Sequence, residues 1–137
     1  MEWARGEFVI TDDSNRIDAA RTHVLLQSTY WGVRRPRDVV DRMIEKSLCF
    51  GLFLGRDQIG FSRAVTDYTV FSWIADIVVA AEHRGQGLGK WIMQCMVDHP
   101  AIRGTQLVLQ TRDAHALYEK YGFSKSLALM STPVPGL

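Results

Sequence analysis

Several things are scarce in this sequence, and each scarcity removes a class of protein. Charge of one sign is scarce: 16 Lys and Arg stand against 15 Asp and Glu in 137 residues, a formal net charge of +1. Such a balance supplies no field to gather nucleic acid or an anionic membrane surface, so neither is expected as a partner. No apolar run reaches the roughly 18 residues that cross a bilayer. The opening stretch, MEWARGEF, lacks the apolar core of a signal peptide. Cysteine is limited to Cys49 and Cys95, each in an apolar stretch without Cys or His at ligand spacing. Both read as reduced core thiols. His23, His99 and His115 share no metal-like spacing with a carboxylate or a thiol, so no metal is expected. Together these absences point to the cytoplasm.

What remains is ordinary globular material, 47% hydrophobic and 23% charged. The length suits a single domain over residues 1–137, able to bury roughly two thirds of the surface of its unfolded chain. The periodicity predicts a strand over 8–11, then a turn cluster at 12–15 that offers helix caps. A helix follows over 17–28 and a second from Pro36 to about Ser47. The period then changes. Residues 48–54 and 59–65 read as strands joined by the hairpin chemistry of Gly55, Arg56 and Asp57. Residues 70–79 form a long strand, apolar at nearly every position of its second half, and so central in its sheet with both faces covered. A helix to His99, a strand over 106–110, a short helix over 114–121 closed by Gly122, and a last strand over 123–130 complete the order. Pro133 and Pro135 end it. The fold class is α/β with a mixed sheet, in the order β-α-α-β-β-β-α-β-α-β.

The stretch HRGQGLGKW, residues 83–91, interrupts this pattern with three glycines at alternate positions. It is not a P-loop. Counting back from Gly89-Lys90, the first glycine would fall on Arg84, and the residue after the lysine is Trp91 rather than a hydroxyl. It is not a dinucleotide fingerprint either, because the third glycine would fall on Lys90 or Ile92. The pattern Arg84-x-x-Gly87-x-Gly89, after a strand and opening a helix, resembles the pyrophosphate loop of the GCN5-related N-acetyltransferases (GNAT). The physics agrees. Glycines bring backbone N–H groups close to a ligand, and the first helical turn leaves such groups unpaired at the positive end of the dipole. Arg84 and Lys90 add charge. Residues 111–123, TRDAHALYEKYGF, are similar to that family's closing motif, Asn-x-x-Ala-x-x-Leu-Tyr-x-Lys-x-Gly-Phe. The resemblance covers about residues 70–123, and the N-terminal half agrees only in element order.

The resemblance implies transfer of an acetyl group from acetyl-CoA to a primary amine of a small molecule or peptide, directly within a ternary complex. A non-catalytic module that binds or senses acyl-CoA is the alternative. The implied cofactor contacts are the backbone amides of Arg84, Gly85, Gln86, Gly87, Leu88, Gly89 and Lys90 on the diphosphate. Backbone groups of Val78 and Val79 would hold the pantetheine arm across a splay between two strands, and Thr111 stands where the family has Asn. Tyr118 is implied as the general acid for the departing thiolate; a core tyrosine with its hydroxyl at the surface is the plainer account.

The general base is less defined. The position where some relatives carry Glu is Trp73, which cannot serve. Asp76 is the only carboxylate inside the strand, and burial among Ala75 and Ile77 would raise its pKa towards that of a base. Fixing a loop or strand end by hydrogen bonds is an equally good account. Glu82 and His83 stand just outside the strand. For the amine, aromatics beside a carboxylate suit a cation, which singles out Tyr30, Trp31, Asp67 and Tyr68. Arg34, Arg35 and Arg37 form a basic cluster suited to a solvated loop or to an anionic substrate. Relatives usually close with two strands, and little chain remains here for them. An uncovered sheet edge invites a partner, which leaves a homodimer open.

Overall fold

A computed structural model describes residues 1–134 of the chain; Pro135 lies outside the described residues. Ten elements follow in order: β1 (Glu2–Arg5), β2 (Phe8–Thr11), α1 (Ala19–Gln27), α2 (Arg37–Glu45), β3 (Leu48–Leu54), β4 (Asp57–Thr66), β5 (Phe71–Val79), α3 (Leu88–Asp98), β6 (Gln106–Leu109) and α4 (His115–Glu119). The strands form one sheet in the order β1-β2-β3-β4-β5-β6. Neighbours are antiparallel through β5, and β6 returns parallel to β5 after the α3 crossover.

Local chemistry explains the helix starts. Asp18 caps α1 by accepting from the Arg21 amide at 3.0 Å. Gln58 on β4 then binds that start to the sheet: its oxygen accepts from the Asp18 amide and its nitrogen donates to the Thr22 hydroxyl, both at 2.9 Å. Pro36 opens α2 without a side-chain cap, as its missing N–H allows. On α3 the residues Leu88, Trp91, Ile92, Met93, Cys95 and Met96 are buried, which sets one helical face into the core. Phe50, Phe61, Ile10, Leu26 and Leu52 meet them from the strands and α1. Cys49 and Cys95 are buried free thiols. Burial pushes their pKa values up to about 12 and about 11, which keeps them as inert thiols.

Two elements differ from the sequence reading. The chain begins with an additional strand, β1, turned into β2 through Gly6 at φ 58°. Its register pairs Glu2 with Thr11 and Arg5 with Phe8. As an edge strand it puts only Trp3 against the core, stacked near Phe50 and His99 with ring centroids 6.0 Å apart in each case. The alternation that reveals a strand is therefore missing from its sequence. At the other end, residues 123–130 form no strand. A strand there would need the outer edge of β6, and a groove of about 570 Å³ separates that edge from the segment. The order is accordingly β-β-α-α-β-β-β-α-β-α.

The feature that positions the site lies in β5. Its ladder with β6 runs from Phe71↔Gln106 to Ile74↔Leu109 and stops there. On its other side the register with β4 jumps from Arg63↔Ala75 to Phe61↔Val78, so Asp76 and Ile77 together face Ser62. This is a bulge, with Asp76 in the left-handed region at φ 60°. Beyond it, β5 and β6 are no longer joined. Truncation of the central core side chain by Phe61→Ala is expected to lower unfolding stability by about 3–5 kcal/mol in urea titration; a loss below about 1 kcal/mol would show that the sheet–α1 core is not packed as described.

Candidate active site

The parted strands open onto a cleft of about 470 Å³. Its walls come from β5 (Ile77, Val79), the loop after it (His83, Arg84, Gly85, Gly87), the start of α3 (Leu88, Gly89, Lys90, Met93) and α4 with its following turn (Leu117, Tyr118, Tyr121). The glycine loop and Tyr118, 31 residues apart in sequence from Gly87, thus meet in one place.

The loop is built from backbone. Gly85 and Gly87 have φ of 84° and 77°, the left-handed region that a Cβ disfavours. A Cβ added at either would meet nothing within 4 Å, so the space beside these main-chain groups is open. Gly87 is the N-cap of α3 and no side chain caps that helix. Its first amides therefore point outward at the positive end of an 11-residue helix. Such an end holds an anion, and a diphosphate fits both the donors and the open space. The side chains behave differently from expectation. Arg84 does not stand free: its Nε donates to the Val79 carbonyl at 2.9 Å and its Nη2 to the Ser28 hydroxyl at 3.4 Å. It clamps the loop to the end of β5 and the end of α1. Gln86 folds back to donate to the His83 carbonyl at 3.2 Å. Lys90 is exposed at the cleft rim.

Of the two valines that end β5, Val79 borders the cleft. Val78 is turned to the core, its carbonyl 3.0 Å from the Cβ position of Gly60 on β4. Tyr118 sits on α4, half-buried and packed at 6.2 Å, edge to face, against Phe123. Burial pushes its phenol pKa above the ordinary value, helped by the neighbouring Tyr30, Asp113 and Tyr121. Among the described residues its hydroxyl makes no hydrogen bond, which leaves it for a ligand. Sequence reasoning overlooked Tyr121. It lines the cleft and donates from its hydroxyl to the Lys90 carbonyl at 3.1 Å, tying α4 to α3. The only signal was a second tyrosine three residues after Tyr118. Thr111 is not in this cleft; its hydroxyl accepts from the Ala114 amide at 3.1 Å and shapes the entry to α4.

Asp76 resolves between the two accounts given for it. It is buried, with its side chain 1% exposed. Arg35 donates through Nη1 to one carboxylate oxygen at 2.8 Å, and Arg63 donates through Nε to the other. Both oxygens carry a guanidinium donor, so the group acts as an ionic lock on the bulge, and it does not line the cleft. Asp67 and Tyr68 lie elsewhere. They form the β4–β5 turn at the opposite end of β5, a nine-residue strand that spans roughly 30 Å at about 3.3 Å per residue. The Asp67 carboxylate accepts from the amides of Thr69, Val70 and Phe71, which holds its pKa below the ordinary value and staples the turn. Tyr30 and Trp31 do belong near Tyr118: their rings meet edge to face at 4.9 Å, and Arg112, from the loop before α4, stacks over Tyr30 at 3.8 Å.

Removing the lock should be costly, because two partly buried guanidinium groups would lose their counter-charge. Asp76→Ala is expected to cost about 3–5 kcal/mol of unfolding free energy. Chemical denaturation reads this directly, and a loss within about 0.5 kcal/mol would mean that Asp76 does not hold the bulge.

Residues 45–125 match the acetyltransferase (GNAT) domain. A crystal structure of a protein assigned to the GNAT family of Xanthomonas campestris pv. campestris is 37% identical, covers 98% of each chain and superposes with a TM-score of 0.90. A Gibberella zeae protein bearing the name of an acetyltransferase is 25% identical over 144 residues, 88% of this chain and 80% of its own. A Staphylococcus aureus structure, 19% identical over 93% of this chain and 98% of its own, shares the fold alone, at a TM-score of 0.77. With the helix-end anion cradle, the parted strands and the facing tyrosine already described, these matches establish that the chain is an acyltransferase of the GNAT family.

Proposed function

We propose that the protein is an N-acetyltransferase, moving acetyl from acetyl-CoA to the primary amine of a small molecule or peptide while both are bound. The observation that carries this reading is the single cleft shared by the uncapped α3 terminus and Tyr118. Coenzyme A is fitted by three features of the chain. The amides from Gly85 to Lys90 would hold the diphosphate. The edge of β5 that β6 leaves unpaired after Ile74 would hydrogen-bond the pantetheine arm as a partner strand does. The apolar side chains of Ile77, Val79 and Leu117 would line that arm. The donor supplies a thioester, whose C–S bond breaks as the amine nitrogen forms the new C–N bond.

Tyr118 then has a defined task. The departing sulfur leaves as a thiolate and takes the phenolic proton from Tyr118 Oη. A phenol held protonated by its surroundings is available as a donor across the neutral range. The amine proton leaves to water, since Asp76 is spent in its ion pairs. His83, which lines the same cleft, is a side chain of this loop able to relay it.

Two measurements test the assignment. Coenzyme A at 100 times its dissociation constant should stabilise the fold by about 2.7 kcal/mol, read as a rise in melting temperature. Tyr118→Phe should bind coenzyme A unchanged and lose about 10²–10⁴-fold in kcat. Because the pKa of Tyr118 is raised, the acid form persists upward, so the alkaline limb of the wild-type kcat profile should lie above the ordinary phenol value of 10.0 and vanish in Tyr118→Phe. Wild-type turnover in that variant would remove Tyr118 from the mechanism. A thermal shift with coenzyme A but no acetylation of any amine would favour a sensing module instead.

A further inference from the structure

α4 is a slight element to carry Tyr118. It is five residues long, none of them buried, and no side-chain hydrogen bond from its N-cap residue closes its start. A helix this short does not hold itself together. Its place must come from what ties it to the rest of the molecule. Tyr118, Tyr121 and Phe123 pack, partly buried, against the core. Apolar contact is non-directional, so it keeps α4 on the surface without fixing where along that surface the helix stands. Among the described residues, one hydrogen bond joins residues 114–123 to another helix or strand: Tyr121 Oη donates to the Lys90 carbonyl at 3.1 Å.

Both ends of that bond are placed to matter. Lys90 lies in the first turn of α3, and its amide closes the row from Gly85 that faces the cleft. The same residue would thus meet the diphosphate with its amide and α4 with its carbonyl. At the other end, the Tyr121 amide donates to the Tyr118 carbonyl at 2.9 Å. Both tyrosines line the cleft. A shift of Tyr121 along α3 therefore carries Tyr118 with it. An acid displaced by about 1 Å from the group it serves loses on the order of 10²-fold in rate. The bond lies at the exposed rim, where water competes for both partners, so its own contribution is about two- to tenfold.

We propose that Tyr121 is a positioning residue: its hydroxyl, bound to the Lys90 carbonyl, fixes α4 on the cradle helix and so sets where Tyr118 stands in the cleft. It acts through Tyr118 and not on the reacting atoms. The same tie passes the state of the cradle to α4, so a diphosphate held at the start of α3 steadies the helix that carries the acid. The inference rests on the acyl-transfer reading, in that it assigns a further residue to the same site.

Tyr121→Phe tests it, because phenylalanine keeps the ring in the cleft wall and removes only the hydroxyl. Hydrogen exchange is read on the amides of residues 117–123, in the free protein and with coenzyme A bound. In the variant these amides should exchange about two- to tenfold faster, while those of β3, β4 and β5 stay as in the wild type. Coenzyme A should slow them in the wild type and slow them less in the variant. Turnover is read by thiol release from acetyl-CoA. Tyr121→Phe should lower kcat about tenfold and leave the KM of acetyl-CoA within about twofold. Placed on Tyr118→Phe, the same change should alter kcat by less than about twofold, because the acid that Tyr121 positions is gone. An effect of equal size in both backgrounds would overturn the proposal, since it would mark a role apart from Tyr118. So would unchanged exchange across residues 117–123. The exchange measurement needs no turnover, which keeps the two readings apart. Faster exchange with no thiol release from any amine upholds the tie and refutes transfer, whereas transfer with unchanged exchange refutes the tie alone.

Discussion

The parting of β5 from β6 is the constraint on which the molecule turns. A parallel pair normally continues until one strand ends, because each lost ladder bond leaves backbone donors and acceptors unsatisfied. Here β6 ends at Leu109, opposite Ile74, while β5 continues to Val79. The bulge lies two residues further along the strand. Two residues of β5, Asp76 and Ile77, occupy the length that one residue of β4 would match, and the extra residue sits at positive φ. A non-glycine residue in that region costs of order 1–3 kcal/mol and persists only where its surroundings over-determine it. Two guanidinium groups on a buried carboxylate supply that over-determination. An Asp is also among the residues least penalised there.

From that gap the remaining architecture follows in sequence. The chain leaves β5 into a loop whose left-handed glycines turn it sharply and start α3 without a side-chain cap. Arg84 secures the turn by binding the last carbonyl of β5 and the end of α1, so the cradle is rigid at its base and open at its rim. α4 closes the opposite wall, held on α3 by the Tyr121 hydroxyl and carrying Tyr118 into the space between. Positive potential is thus delivered by peptide dipoles at the helix end.

The glycine loop was legible because its shape is carried by backbone, and only residue types that permit certain φ values can occupy it. Tyr118 was legible for a related reason: a fixed spacing on a short helix, between Leu117 and Tyr121, sets its face. The strands 48–54 and 106–109 announced themselves by local composition. The roles of Asp76 and Arg84 were not legible in the same way. The partners of Asp76 lie 41 and 13 residues away, and Arg84 reaches Ser28 across 56 residues. No local pattern encodes such distances. Asp67 misled for the opposite reason: a carboxylate beside a tyrosine reads as a cation site, while its Oδ1 accepts from three amides of its own turn.

The sequence alone determined what depends on neighbours a few residues apart: helix caps, apolar periodicity, the backbone freedom of the loop, and through two motifs the family. Tertiary structure decided what depends on residues brought together from afar. It added β1, whose hydrogen bonds to β2 compensate for a weak apolar pattern, and it withheld a strand from residues 123–130, which a groove separates from the outer edge of β6. It turned the sole carboxylate inside β5 from a candidate base into an ion-paired lock. Charge pairing and strand pairing are settled by proximity in space, and a linear order of residues states proximity only along the chain.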